Sequence, residues 1–127
     1  MSVDQIDSYQ DLRVWQEAMS LAVDCYRLTQ PFPREEAFGM TSQIRRSAAS
    51  IAANIAEGWG RDATGSFVHF LKIAQGSLKE LETHLLLSER VGLASPTNVG
   101  PLLAHCDDLG RMLRSYIRSL QRSDRQR

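Results

Sequence analysis

Apolar residues recur at helical spacing in four stretches of this chain, and no stretch alternates as a β-strand does. Turn residues separate the stretches, which predicts helices at about residues 11–29, 34–59, 64–91 and 96–122. Short connections make consecutive helices antiparallel neighbours. We therefore predict an all-α fold, an antiparallel up-down-up-down four-helix bundle, as a single domain over 1–127 with flexible termini, loose to about residue 10 and fraying from Ser119.

Proline and glycine mark the predicted helix ends. Pro31 and Pro33 stop the first helix, because a proline ring restricts the residue before it and removes a donor. The second helix is predicted to begin near Arg34. Gly92 suits the left-handed position after the third helix.

The start of the fourth helix has two readings. Ser95-Pro96 is a good N-cap and first-turn pair. Pro101 lies one turn later, where its ring clashes with the carbonyl of Thr97 in a regular helix. Either the helix begins in earnest near Gly100, or its first turns are irregular.

Three stripes share the second helix, over residues 43–60. The apolar stripe is Ile44, Ala48, Ile51 and Ile55; the polar stripe is Gln43, Ser47, Ser50, Asn54 and Glu57; the smooth stripe is Ala49, Ala53, Ala56 and Gly60. Covering one core requires a single apolar stripe. We therefore predict an assembly, with the isoleucines in the bundle core and the alanines packing closely against another subunit.

The polar stripe has a counterpart on the third helix, where Ser77, Glu80 and His84 follow a spacing of 3 and 4. We expect hydrogen bonds there, or with a neighbouring subunit, and an ion pair of Arg46 with Glu57 or Glu80. A ligand site is the alternative use of the stripe. The residues predicted for this polar or subunit interface are Gln43, Arg46, Ser50, Ala53, Asn54, Glu57 and Glu80.

The fourth helix carries four arginines on one face, spaced 3, 4 and 4: Arg111, Arg114, Arg118 and Arg122. A solvated face, with Asp107 and Asp108 at its start, is one reading. The other is a contact with the phosphates of RNA or DNA.

Motifs for metal binding and catalysis are missing from the sequence. A di-iron bundle needs Glu-x-x-His on two helices, whereas Glu80 and His84 stand at i and i+4. No Cys/His set has zinc spacing, and neither a Gly-x-Ser-x-Gly turn nor a phosphate-binding glycine loop occurs. We predict no catalytic residues, metal, cofactor or small-molecule substrate. Gly76, inside the third helix, is predicted to allow close helix packing.

Composition adds limits on partners and location. The 15 basic and 15 acidic residues give a net charge of zero, which weighs against nucleic-acid binding by the domain as a whole. No secretory signal or membrane-length apolar run occurs, so we expect a cytoplasmic protein that does not enter membranes. Cys25 and Cys106 are expected to be buried thiols rather than a disulfide.

Several blocks of the chain resemble a known family. They are Asp11–Ala18, Pro33 with Phe38-Gly39, Gln43–Ser47 with Ser50-Ile51 and Asn54–Gly58, and Phe70–Glu82. They resemble the bacterial four-helix bundle proteins first noticed in intervening sequences of 23S ribosomal RNA genes, over about residues 9–120. The resemblance implies an antiparallel bundle that assembles as a homopentamer, without established catalytic activity.

A related branch of that family, the accessory proteins of diversity-generating retroelements, binds nucleic acid and a reverse transcriptase through a strongly basic surface. This chain departs from that branch by its zero net charge. We therefore expect a non-enzymatic, self-associating protein, most simply a pentamer, with an interaction or scaffold role. The alternative is an RNA-associated protein linked to 23S ribosomal RNA.

Overall fold

The computed structural model describes residues 6–125, which form four α-helices. They are α1 (Arg13–Thr29), α2 (Met40–Trp59), α3 (Thr64–Arg90) and α4 (Pro96–Arg125), with short 3-10 turns at Tyr9–Asp11 and Arg34–Glu36. Each helix packs against the next in sequence, and α4 closes the bundle against α1. No strand occurs in the described chain, so the predicted all-α four-helix fold is confirmed.

The core is built from one apolar stripe on each helix, and on α2 it is the predicted stripe. On α2 the buried isoleucines are Ile44, Ile51 and Ile55; α3 contributes Leu71, Leu78, Leu81 and Leu85; α4 contributes Cys106, Leu109 and Leu113. All of these side chains belong to one cluster. None of the helices in residues 6–125 combines the length and apolar character that crossing a bilayer requires.

The connection from α3 to α4 has the predicted caps. Gly92 adopts φ +82°, its N–H donates to the carbonyl of Glu89, and the N–H of Leu93 donates to that of Ser88. These two bonds form a Schellman motif, which glycine supports without steric cost. The Ser95 hydroxyl accepts from the N–H of Asn98 at 3.2 Å and caps α4.

The start of α2 differs from the prediction. The helix begins at Met40, not near Arg34, because residues 34–36 form a separate 3-10 turn. A carboxylate oxygen of Glu36 accepts the N–H of Met40 at 3.0 Å, so this side chain caps α2 from outside the helix. An acidic residue such as Glu36 is favoured both inside a first turn and as a cap just before a helix, so the sequence alone does not distinguish a start near Arg34 from one at Met40.

Pro101 lies inside a continuous α4 that begins at Pro96. Thr97 and Pro101 are both exposed, so water can bond the carbonyl that the proline leaves free. The helix α4 continues to Arg125, past Ser119, from which fraying was predicted, and past the predicted helix end at about residue 122. At the other end, a capping box at Ser8 orders Tyr9–Asp11. Residues 1–5 of the predicted loose arm, and 126–127, lie outside the described residues.

Close packing of α2 on α3 occurs at Gly58, not at Gly76. A Cβ added to Gly58 would lie 2.7 Å from Cβ of Phe70 and 2.9 Å from Cδ1 of Phe67. Gly76 is exposed and has open space around it, so the prediction for that residue is wrong. Both glycines lie within predicted helices, and only the helix face on which each lies distinguishes them.

Candidate functional site

The polar stripe of α2 forms hydrogen bonds with α3. The Ser50 and Ser77 hydroxyls lie 2.9 Å apart, and Nδ2 of Asn54 donates to the Ser50 carbonyl and hydroxyl at 2.8 and 3.0 Å. The predicted contact between the two polar stripes is confirmed at this point. It places Ser50 at the centre of a small network on the α2–α3 side of the molecule.

One turn away, Arg46 joins the same two helices. Its guanidinium donates to a carboxylate oxygen of Glu80 at 2.7 Å and to the side-chain oxygen of Gln43 at 2.9 Å. The side chains of Arg46 and Glu80 are 54% and 41% exposed, so water screens the pair and its stabilisation is small. The pair links α2 to α3 without adding much stability.

Two other members of the polar stripe, Glu57 and Ser47, have partners in α2 or just after it instead of in α3. Glu57 pairs with Arg61 at 3.1 Å, and the Arg61 guanidinium lies 4.9 Å from the ring centre of Phe70. The buried Ser47 hydroxyl donates to carbonyls of its own helix. The predicted alternative, Arg46 with Glu57, is therefore not formed.

The smooth stripe of α2 borders an open apolar groove shared with α1, with a volume of about 510 Å³. Its lining is Tyr9, Trp15, Met19, Ala22, Val23, Tyr26, Arg27, Gln30, Ala49, Ala52, Ala53 and Ala56. Ala49 and Ala53 are exposed, and Met19, Val23 and Tyr26 are 40 to 46% exposed. Gly60, the last predicted member of the stripe, does not line the groove.

At one end of this groove, Arg45 of α2 contacts Tyr26 and Thr29 of α1. The Arg45 guanidinium stacks over the Tyr26 ring at 4.5 Å, and its Nε donates to the buried Thr29 hydroxyl at 2.8 Å. The same hydroxyl donates to the Cys25 carbonyl at 2.9 Å. Sequence reasoning missed this link, because nothing in the spacing of residues 26, 29 and 45 connects them.

A second apolar groove, of about 640 Å³, lies between the start of α1 and the second half of α4. Leu12, Val14, Met112 and Tyr116 contribute to it, and Ile6 forms part of its rim. Burial raises the pKa of the Tyr116 phenol. Its ring packs edge-on against the buried ring of Phe67, with 5.7 Å between the ring centres.

The arginines of α4 lie together on one face, as the spacing predicted. With Ser115 they line a concavity of about 390 Å³; the four are Arg111, Arg114, Arg118 and Arg122. Arg111 pairs with Asp107 and Asp108. Within residues 6–125 the other three arginines have no carboxylate within 4.0 Å, which leaves a local excess of positive charge.

The side chains of residues 6–125 that could bind a metal or act as nucleophiles do not cluster. No three His, Cys, Asp or Glu side chains of residues 6–125 lie close enough to hold a metal ion. His105 lies 3.7 Å from Glu17, where it links α4 to α1. Burial raises the pKa of the free thiols Cys25 and Cys106 to about 12 each, so neither is a ready nucleophile.

Comparison with known proteins decides the family. The family model described as 23S rRNA-intervening sequence protein matches residues 10–115, most of the chain. The chain belongs to this family. Among the solved structures similar to this 23S rRNA-intervening sequence protein is one from Bacteroides thetaiotaomicron VPI-5482, a protein of unknown function from the S23 ribosomal protein family. No functionally curated protein gives a significant match.

The solved structure supports the fold across nearly the whole bundle. Its sequence is 26% identical, and the alignment covers 82% of this chain and 97% of that chain with a TM-score of 0.73. In this 23S rRNA-intervening sequence protein, the block Asn54–Gly58 begins with a hydrogen-bonding side chain and ends at the close approach to α3. The resemblance seen in the sequence therefore coincides with residues that fix how α2 packs.

Proposed function

We propose that the protein is a non-enzymatic homo-oligomer that acts as an interaction or scaffold protein. The apolar groove between α1 and α2 carries this proposal. Its exposed alanines give a smooth wall, and the half-exposed Met19, Val23 and Tyr26 supply apolar area that another subunit can cover. Contiguous apolar surface of this kind is typical of an interaction site.

Two further features favour a second copy of this chain in the groove. The net charge of zero means that copies approach without long-range repulsion. The groove also explains why the sequence of α2 needs a third stripe, since the other two stripes have partners within the chain. Five copies is the number that the family resemblance implies, and we propose a pentamer.

Light scattering coupled to size-exclusion chromatography tests the proposal. We expect a mass several times the 14.3 kDa of one chain. Ala53→Arg puts a long charged side chain into the groove and is expected to lower that mass. Ala104→Arg, at an exposed alanine of α4 outside the groove, is the control and is expected to leave it unchanged. A wild-type monomer at micromolar concentration would contradict the proposal.

The arginine face of α4 supports a second candidate, association with RNA linked to 23S ribosomal RNA. The observation behind it is that three arginines beside Ser115 have no carboxylate within 4.0 Å among residues 6–125. The family name refers to an intervening sequence of that RNA. Such a face can neutralise phosphates even when the whole chain is neutral, because the Debye length at physiological salt is only about 8 Å.

Fluorescence anisotropy with a labelled RNA of the intervening sequence tests this candidate. The double variant Arg114→Ala, Arg118→Ala is expected to weaken binding and to lower the slope of log affinity against log salt by about 1 to 2. Arg90→Ala, on α3, is the control. Unchanged affinity and salt slope in the double variant would exclude the arginine face as the RNA site.

A further inference from the structure

Phe38 is the most exposed large hydrophobic residue of the described chain, at 98%. The next is Val91, at 61%. Phe38 lies in the connection between α1 and α2, close to one end of the apolar groove but outside its lining. Single exposed apolar side chains are common, so exposure alone does not indicate a function. Two further features of Phe38 matter: the backbone that carries it is ordered, and an apolar groove lies nearby.

The connection that carries Phe38 is held by hydrogen bonds on both sides of it. The N–H of Ala37 donates to the Arg34 carbonyl, and that of Gly39 donates to the Glu36 carbonyl, both at 3.0 Å. The carboxylate of Glu36 also caps Met40. The backbone around Phe38 is thus shaped before any partner arrives, which reduces the entropy lost when its ring is buried.

Phe38 and the groove end lie at about the same height along the bundle. Tyr26 stacks on Arg45, so these residues of α1 and α2 are level. In antiparallel helices with equal rise, Gln30 is then level with about residue 41. Phe38 therefore lies just beyond the end of the groove that Gln30 helps to line.

We propose that Phe38 of one subunit inserts into the α1–α2 groove of the next, an inference that rests on the proposed self-association. A closed ring of more than two subunits needs two different, complementary patches on each chain. The groove is one patch and Phe38 is the other. Because Phe38 lies near the height of the Gln30 end of the groove, subunits that keep their helices parallel can repeat this contact, at that end, around a common axis.

The first test replaces the ring with a small polar side chain. Phe38→Ser removes only exposed apolar surface from the isolated chain, so helicity and the fold are expected to persist in circular dichroism. The half-dissociation concentration of the assembly, from light scattering over a dilution series, is expected to rise about thirty-fold or more. Val91→Ser, at the same end of the bundle, is the matched control and should leave it within about two-fold.

A mixing experiment tests the direction of the contact. A chain with Phe38→Ser keeps its groove, and a chain with Ala53→Arg keeps its Phe38. At a concentration below the half-dissociation concentration of either variant, each alone is expected to be monomeric, whereas an equimolar mixture forms a one-to-one dimer that cannot grow further. Only a contact between two different patches gives this result.

The outcomes separate this inference from the proposed function. If Ala53→Arg dissociates the assembly while Phe38→Ser keeps the wild-type half-dissociation concentration, the groove is an interface but Phe38 does not fill it. If the wild type is itself monomeric, both proposals fail. Loss of assembly in Phe38→Ser together with the one-to-one dimer in the mixture supports both.

Discussion

Replacing Gly58 with alanine tests how tightly α2 and α3 pack. The added Cβ would lie 2.7 Å from Cβ of Phe70, an atom that no side-chain rotation can move away. It would also lie 2.9 Å from Cδ1 of Phe67, whose ring is 7% exposed and lies between Trp59 and Tyr116. The helices must therefore shift apart, or the two phenylalanines must leave their positions.

The size of the effect follows from two opposing terms. Overpacking of this kind costs about 1–3 kcal/mol. Alanine in a helix gains up to about 1 kcal/mol over glycine, and less in a last turn. We expect Gly58→Ala to lower the free energy of unfolding by about 1–2 kcal/mol, which lowers Tm by about 4–8 °C for a chain of this length.

The control makes the same chemical change where there is room. Gly76 lies in the middle of α3 with no atom within 4 Å of an added Cβ, so Gly76→Ala is expected to stabilise the protein by up to about 1 kcal/mol. Urea and thermal unfolding at one fixed protein concentration measure both variants. The packing argument is wrong if the two substitutions change stability in the same direction.

Further predictions concern a buried hydrogen bond, the two thiols and the turn after α3. Thr29→Val removes the hydroxyl that accepts from Nε of Arg45, and is expected to cost about 1–2 kcal/mol in urea unfolding. The pKa of Cys25 and of Cys106 is raised from 9.0 to about 12, so iodoacetamide is expected to label them in the native protein far more slowly than after unfolding. Stability is expected to fall as pH rises from about 9 towards 12, because the unfolded thiols lose protons first; serine variants of both that keep the full decline would contradict this. Gly92→Ala forces a side chain into φ +82° and is expected to cost about 1 kcal/mol, which thermal unfolding can detect.

The sequence was sufficient for features that depend on residues close together in the chain. The isoleucine spacing of α2 predicted which side chains are buried, and the cap at Gly92 followed from its position after an apolar stripe. The 34–39 connection was not predictable in the same way. Glu36 can lie in a first turn or cap the next helix from outside, and the two uses have the same local sequence.

Features that depend on distant residues needed the structure. Gly58 and Gly76 are both glycines within predicted helices, and the position of Phe70 across the helix interface is what makes only Gly58 a close contact. Arg45 likewise reaches Thr29 across two helices. The polar stripe was predictable in part. Its spacing indicated a partner on α3, but it did not indicate that Glu57 pairs with Arg61.

The three stripes of α2 also determine what a stability measurement can report. Ile51 is buried and Ser50 bonds to α3, so substitutions there change the fold and any assembly together. Ala53 is exposed within the chain, so Ala53→Arg should leave the unfolding of an isolated subunit nearly unchanged. Association adds stability that grows with the logarithm of protein concentration. The gap in Tm between wild type and Ala53→Arg is therefore expected to widen as concentration rises, and a constant gap would mean that Ala53 acts within one chain.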